Sequence, residues 1–201
     1  MVLTRWTAIW WLFWCAGLAP FVLLMYQVVT DQAGADPAQM LVLATGLWAL
    51  RFLWLTLAVT PLRRLPRLGW LIRFRRMLGL YAFFYAVLHL LAFITFILGW
   101  RVDLVWREFT ERPYIVVGLL SLLLLLPLAV TSTTYWMRRL GRNWVRLHWL
   151  IYPAAVLAMV HFIMQIRAGY AEQLLYGSLL LILLGYRAVV KLFPKKSRKT
   201  C

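Results

Sequence analysis

Three histidines are the residues in this sequence with the clearest chemical potential. His89, His148 and His161 are the only histidines among 201 residues, and each lies in an apolar segment. An imidazole in hydrocarbon loses its hydrogen bonds to water, so its presence there requires a specific role. Neutral imidazole is a good ligand of haem iron. The pattern predicts haem ligation, and the alternative for each histidine is a hydrogen bond to a neighbouring helix.

The spacing of the histidines predicts two levels in a membrane. His148 and His161 are separated by roughly 20 Å along a helix, against a hydrocarbon core of about 30 Å. His89 follows the start of its own segment, at Arg76, by the same number of residues that separates His148 from His161. We therefore expect His89 and His161 to ligate one haem from two helices, near one membrane face.

His148 is left without a histidine partner near the other face. This unpaired histidine predicts either a second haem with one histidine ligand or a single haem in the whole chain. An ideal helix places His148 and His161 roughly 140° apart, so the spacing supports two depths rather than one helix face. The sequence contains no C-x-x-C-H motif, which indicates b-type haem without thioether bonds.

Arginines supply candidates for anion binding. Arg51 is the only arginine that the sequence analysis places deep inside an apolar segment, so it should meet an anion such as a haem propionate, or else backbone carbonyls. Arg75 and Arg76 lie at the expected depth of His148 and are further propionate candidates.

Composition predicts a polytopic membrane protein. The chain is 64% hydrophobic and only 14% charged, with a mean hydropathy of +0.79, whereas soluble domains are nearer half apolar. Little length remains for a soluble domain, so any nucleotide-binding or catalytic module should be another chain. Two cysteines at Cys15 and Cys201 do not suggest a disulfide framework. Despite a net charge of +16, we find no nucleic-acid motif.

Six apolar segments each approach the roughly 20 residues that a membrane helix needs. They span residues 6–29, 39–60, 76–99, 114–130, 145–165 and 171–190. Since unpaired backbone is not tolerated in lipid, the expected fold is an all-α bundle of six transmembrane helices forming one domain over residues 1–201. Residues 191–201 form a basic tail, and the sequence shows no internal repeat.

Charged residues divide into two faces. The arginine-rich face comprises residues 61–76, with six arginines and no acid, residues 138–146 and the basic tail. The acidic face carries every acidic residue of the chain: Asp31, Asp36, Asp103, Glu108, Glu111 and Glu172. The positive-inside rule places the arginine-rich face and both termini in the cytoplasm. The lack of carboxylates within the membrane argues against an ion-coupled transporter.

A set of short motifs resembles the MsrQ (YedZ) family, in the ferric-reductase-like transmembrane group. The matching motifs are TGLWALRFL at 45–53, TPL at 60–62, RRMLGL at 75–80, HL at 89–90, ERPYI at 111–115, Gly118, TS at 131–132, LG at 140–141, Trp144, LH at 147–148 and His161. The wider group has two histidines on each of two helices. This chain has only His89 on its third span, which leaves the second ligand opposite His148 open.

The resemblance implies b-type haem, flavin mononucleotide (FMN), a role in electron transfer and a location in the bacterial inner membrane. Arg73, Arg75 and Arg76 are candidates for the flavin phosphate, and the alternative is that they only orient the chain in the membrane. The implied acceptor is a periplasmic molybdopterin subunit, MsrP, which carries the site that reduces methionine sulfoxide. The implied donor is the quinone pool or a cytoplasmic flavin reductase. The outer loop from Trp100 to Tyr114, with Glu108, Glu111 and Arg112, is the expected docking surface for the partner. The alternatives are a quinol-oxidising cytochrome b subunit of another reductase or hydrogenase, and a haem-free transporter or assembly factor.

Overall fold

The structure is a computed structural model that describes residues 2–165 and 169–192, with side chains from residue 6 onward. These residues form nine α-helices: α1 Val2–Val29, α2 Pro37–Leu62, α3 Arg75–Ala92, α4 Val102–Glu111, α5 Pro113–Val130, α6 Thr134–Leu140, α7 Arg142–Leu147, α8 Ile151–Met164 and α9 Ala171–Leu192. Two 3₁₀ segments, Gly69–Phe74 and His148–Leu150, precede α3 and α8, and a π-helical segment, Phe93–Ile97, follows α3. The predicted basic tail beyond Leu192 lies outside the described residues.

Six helical segments are long and apolar enough to cross a membrane within this described part of the chain. They are Trp6–Val29, Pro37–Leu62, Gly69–Ile97, Pro113–Val130, Arg142–Met164 and Ala171–Leu192. This confirms the predicted six-helix membrane fold. The third span begins at Gly69 rather than Arg76, because the 3₁₀ segment continues directly into α3. The predicted loops after the third and fourth spans contain the short helices α4 and α6, and α7 forms the start of the fifth span.

The core consists of two helical hairpins, α2 with α3 and α5 with α8, which pack together. In the second hairpin, Ala154 and Ala155 are fully buried, and the Ser121 hydroxyl donates a hydrogen bond to the Ala154 carbonyl at 2.9 Å. Small side chains let the two backbones approach closely, which is how helices associate in lipid. Helices α1 and α9 pack on the outside of this four-helix core.

The Tyr85 side chain of α3 forms hydrogen bonds with the backbone of α1 beside a proline. Pro20 lies inside α1, and the Tyr85 hydroxyl accepts a hydrogen bond from the Phe21 amide at 3.0 Å and donates one to the Gly17 carbonyl at 2.9 Å. These two backbone groups would bond directly to each other in an uninterrupted helix. The fully buried tyrosine therefore satisfies two backbone groups beside the proline that do not bond to each other.

We expect the Tyr85→Phe variant to be less stable by about 1–3 kcal/mol, because two backbone groups in the membrane lose their partner. The free energy of unfolding in detergent, followed by denaturant titration, checks this. The matched control is Tyr26→Phe on the same helix α1, since the Tyr26 side chain is exposed. Equal stability of the two variants would contradict the assignment.

Candidate functional site

His89 and His161 meet at one level in the core. His89 lies near the end of α3 and His161 near the end of α8, and both side chains are half-buried. Their ring centres are 6.1 Å apart and their ring planes make an angle of 78°. The structure thus brings together the two histidines that the sequence analysis pairs.

Each of these imidazoles is held by a backbone carbonyl of the neighbouring helix. The Nδ1 atom of His89 lies 2.8 Å from the Val42 carbonyl oxygen on α2, and the Nδ1 atom of His161 lies 2.7 Å from the Tyr114 carbonyl oxygen on α5. A carbonyl only accepts, so Nδ1 must carry the hydrogen in both rings. This tautomer leaves the Nε2 lone pair of each ring free for a metal, with the orienting bond that metal-bound histidines usually have.

A glycine faces each imidazole from the same neighbouring helix. A Cβ atom added to Gly46 would lie 2.9 Å from Nδ1 of His89, and one added to Gly118 would lie 2.7 Å from Nδ1 of His161. Real Cβ atoms are essentially never found so close to another atom. Glycine is therefore the residue that lets α2 and α5 approach the two histidines.

The two hairpins repeat one arrangement of residues. In both, the histidine follows the residue whose carbonyl holds it by 47 positions, and the glycine lies about one helical turn after that carbonyl. The amino-acid sequence shows no internal repeat, because only the glycine and histidine positions of the two hairpins correspond clearly. The structure shows that each hairpin supplies one imidazole in the same way.

Gln165 is a site residue that the sequence analysis missed. Its amide Nε2 lies 3.1 Å from Nε2 of His161, one turn further along the chain. Since Nδ1 of His161 carries the hydrogen, the amide donates to the lone pair of Nε2. A metal bound to His161 would take the place of this hydrogen bond. A polar side chain at the end of an apolar span, four residues after a histidine, was the available signal.

The geometry of the pair fits two axial ligands of one haem iron. Imidazoles on opposite sides of a metal would have ring centres about 6.4 Å apart, taking a metal–nitrogen bond of about 2.0 Å. The observed 6.1 Å is close to this distance. Among the residues that the structure describes, no three His, Cys, Asp or Glu side chains come together. Such a pair suits a haem, whose porphyrin provides the other four ligands of the iron.

His148 lies apart from this pair, in the 3₁₀ segment before α8. Its Nδ1 atom is 3.0 Å from the Trp144 carbonyl oxygen, and its ring packs on the Trp144 ring with 3.9 Å between centres. The Nε2 lone pair is again left free. Arg75 is close enough to His148 to interact electrostatically. Within the described residues no second imidazole contacts His148, which agrees with the unpaired histidine expected from the sequence.

Arg51 faces neutral groups of neighbouring side chains. Its Nε atom donates a hydrogen bond to the Tyr176 hydroxyl of α9 at 2.8 Å, and its guanidinium lies over the Trp48 ring at 4.8 Å. These contacts differ from the backbone carbonyls considered as the structural alternative. No carboxylate pairs with Arg51 in the described part of the chain, so its charge is uncompensated there.

The three arginines at the start of the third span point to two sides. Arg75 is half-buried and interacts with Tyr152 and His148 of the core. Arg73 lies over the Trp6 ring at 4.4 Å and, with Arg76, lines a groove between α1 and α3. A single phosphate or propionate therefore cannot contact all three.

Arg187 of α9 is a second inward-facing arginine, so Arg51 is not the only one inside an apolar segment. Its guanidinium donates to the Leu57 carbonyl at 2.6 Å and to the Thr60 hydroxyl at 3.0 Å, and it lies 5.5 Å from the centre of the Tyr152 ring. The sequence analysis missed it because Arg187 is near the end of its span, where an arginine can also extend towards water.

The predicted docking loop on the acidic face is largely the helix α4. Its ion pairs are Arg101–Asp103 at 2.7 Å, Arg107–Glu111 at 3.1 Å and Arg112–Glu108 at 3.0 Å. The hydrogen bond from Arg101 lowers the pKa of the Asp103 carboxyl. The Glu108 side chain is only 15% exposed, whereas that of Glu111 is 56% exposed. Of the predicted docking residues, Glu111 and Arg112 are therefore the accessible ones.

Comparison with known proteins identifies the class of membrane protein to which this chain belongs. Residues 42–159 match the model of the family described as "Ferric reductase like transmembrane component". This range contains α3 and α5, most of α2 and α8, and Gly46, Gly118, His89 and His148, and it ends two residues before His161. The chain is thus a multi-pass membrane protein of the ferric-reductase-like group. No solved structure matches it significantly.

Curated relatives narrow the class to a family. "Protein-methionine-sulfoxide reductase heme-binding subunit MsrQ" of Xanthomonas oryzae pv. oryzae (strain MAFF 311018) is 50% identical over 189 residues, which cover 91% of this chain and 87% of the relative. The protein of the same name from Xanthomonas campestris pv. campestris (strain 8004) is 49% identical over 188 residues, covering 90% and 86%. That from Brucella ovis (strain ATCC 25840 / 63/290 / NCTC 10512) is 42% identical over 177 residues, covering 88% and 80%. The chain belongs to the MsrQ family.

Proposed function

We propose that this chain is a b-type cytochrome that carries electrons across the bacterial inner membrane for methionine sulfoxide reduction. The observation that carries the proposal is the facing pair His89 and His161, each with Nδ1 bonded to a carbonyl and Nε2 left for a metal. The names of the curated relatives, which are heme-binding subunits, support the same cofactor. When bound, the haem supplies one-electron chemistry.

The protein's own residues position the cofactor and exclude water. Val42 and Tyr114 hold the imidazoles in one tautomer and one orientation, and Gly46 and Gly118 leave room for them. Hydrogen bonds of this type orient metal ligands and increase their basicity. The apolar helices around the pair lower the local dielectric, which is one of the ways in which a protein adjusts the potential of a haem.

A second haem at His148 is part of the proposal, and a single haem is the alternative. Arg75, which interacts with His148, and Arg51, which has no carboxylate partner, are the proposed propionate contacts. Arg76, the third propionate candidate from the sequence, faces the groove between α1 and α3.

The proposed orientation of the chain in the membrane rests on the division of charge. The arginine-rich face is proposed to be cytoplasmic, which puts both termini and His148 on the donor side and the His89–His161 pair nearer the periplasm. The donor is the quinone pool or a flavin reductase, and the acceptor is MsrP, which would carry the substrate-reducing site. Glu111 and Arg112, beside the partly covered Glu108, are proposed to contact the partner.

FMN binding rests on the family resemblance and on the surplus of arginines at residues 61–76. Arg75 points inward, whereas Arg73 and Arg76 point outward. One flavin phosphate would therefore contact either Arg75 or the pair Arg73 and Arg76. Flavin fluorescence after acid release from the purified chain tests for FMN.

An absorption spectrum of the purified chain tests the main proposal. A dithionite-reduced α-band with one or two haems per chain by pyridine haemochrome is expected, together with oxidation of the reduced chain by the periplasmic reductase. Oxidation only by another reductase would favour a different cytochrome b subunit. A colourless preparation from haem-supplied cells would favour a haem-free membrane protein.

A further inference from the structure

A groove between α1 and α3 opens on the outside of the bundle at the arginine-rich face. Its walls include Trp10 and Trp14 of α1 and Leu80 and Phe84 of α3, and Arg73 and Arg76 lie at one end. Its volume of about 540 Å³ is in the range of about 300–1,000 Å³ that is usual for small-ligand sites.

The groove exists because α1 touches α3 and its 3₁₀ extension only at separate points. At one end, the Phe13 ring stacks on the Phe74 ring with 4.3 Å between centres. Deeper in the membrane, the Tyr81 hydroxyl donates to the Trp14 carbonyl at 2.7 Å, and Tyr85 binds the backbone near Pro20. Phe21 also packs edge-on against Phe84, with 6.1 Å between ring centres, and the groove lies between these contacts.

Among the described residues, no ion pair neutralises the charged end of the groove. Arg73 and Arg76 are both exposed, and the Arg73 guanidinium lies over the Trp6 ring. Arg76 makes no hydrogen bond or ion pair with any residue that the structure describes. Within the described residues, the ion pairs all lie on or beside α4, at the acidic face. Two guanidinium groups side by side favour an anion, and phosphate oxygens match their donor geometry.

The position of the groove in the membrane matches an amphiphile. Arg73 and Arg76 lie near the start of the span Gly69–Ile97, whereas Phe84 lies about 12 Å further along α3. The arginines are thus at the level of lipid headgroups, and the aromatic walls are at the level of acyl chains. Trp10, Trp14 and Leu80 are exposed on the outside of the bundle, where the neighbouring molecules are lipids rather than water.

We propose that the groove binds one anionic phospholipid per chain. The phosphate lies between Arg73 and Arg76, and an acyl chain packs against Trp14, Leu80 and Phe84. Basic pockets between membrane helices at the cytoplasmic side are suited to anionic headgroups. The lipid fills the gap between α1 and α3 and so holds α1 on the core. Anionic lipid should therefore raise the unfolding temperature of the chain more than zwitterionic lipid does.

Lipid retention by the purified full-length chain tests this proposal. The chain is loaded with phosphatidylglycerol or phosphatidylcholine in mixed micelles, and bound lipid is counted by native mass spectrometry. We expect one tightly retained phosphatidylglycerol and none of phosphatidylcholine. The variant Arg73→Gln/Arg76→Gln should retain phosphatidylglycerol at least tenfold less strongly.

The matched control removes the same charge from the same face without touching the groove. Arg142→Gln/Arg146→Gln is suitable, since both residues are exposed on the short helix α7. It should retain phosphatidylglycerol like the unaltered chain, and equal loss from both double variants would overturn the proposal in favour of non-specific attraction. A single symmetric peak in size-exclusion chromatography shows that each variant has folded.

A second variant separates lipid from other phosphate compounds. Leu80→Trp should fill the acyl part of the groove while leaving both arginines in place, and we expect it to lose phosphatidylglycerol as well. Retention by Leu80→Trp, or displacement of the lipid by millimolar inorganic phosphate or micromolar FMN, would overturn the proposal. The site would then bind a free phosphate or a flavin. None of these outcomes depends on whether His89 and His161 ligate haem.

Discussion

The His161→Ala variant is expected to lose one haem per chain, and His89→Ala the same haem. The ring centres of the two imidazoles are 6.1 Å apart, so removing either would leave the haem iron between them with a single histidine ligand. If two haems are present, His148→Ala should remove the other one. Pyridine-haemochrome stoichiometry and the reduced α-band of the purified variants measure these losses.

Gln165→Ala is the matched control for the histidine variants. Gln165 contacts Nε2 of His161 but is not expected to ligate iron, so its loss should leave the haem content unchanged. The ligand assignment is wrong if His89→Ala and His161→Ala both keep full haem content. A chain with one haem that is lost in His148→Ala would show that the cofactor sits at the other level.

The Gly118→Ala variant is expected to weaken haem binding by about 10–100-fold, the usual effect of disturbing the hydrogen-bonding partner of a metal ligand. The new methyl group would lie 2.7 Å from Nδ1 of His161, so the imidazole must move away from the Tyr114 carbonyl. Gly46→Ala should act in the same way on His89, through the Val42 carbonyl. Haem retention during titration with apomyoglobin as a competing acceptor measures the effect.

Gly79→Ala and Gly185→Ala provide the controls. An added Cβ at Gly79 would make an ordinary contact of 3.6 Å with Thr56, and one at Gly185 would meet nothing within 4 Å. Within a helix, replacing glycine by alanine favours folding by about 1 kcal/mol. These controls should therefore bind haem normally and be at least as stable as the unaltered chain. Normal haem binding by Gly46→Ala and Gly118→Ala would show that the histidines do not need the carbonyl bonds.

The membrane explains why the sequence predicts so much of this fold. A hydrophobic span must be helical and of nearly fixed length, so position in the sequence translates directly into depth. On this basis the number of spans is confirmed, and His89 is found level with His161. Position in the sequence likewise assigns the arginine-rich residues and the acidic residues to opposite ends of the spans. The spacing also indicated that His148 would stand alone, and in the described structure it contacts no other histidine.

The direction in which each side chain points around its helix axis was decided only by the tertiary structure. Depth is a property of one helix, but which neighbour a side chain meets depends on how the helices pack, and a uniformly apolar span carries little information on this. Packing therefore determined that Arg75 turns inward while Arg73 and Arg76 turn outward, and that Arg187 reaches into the core. It also selected the Val42 and Tyr114 carbonyls, with Gly46 and Gly118 beside them, as the groups that hold the two imidazoles.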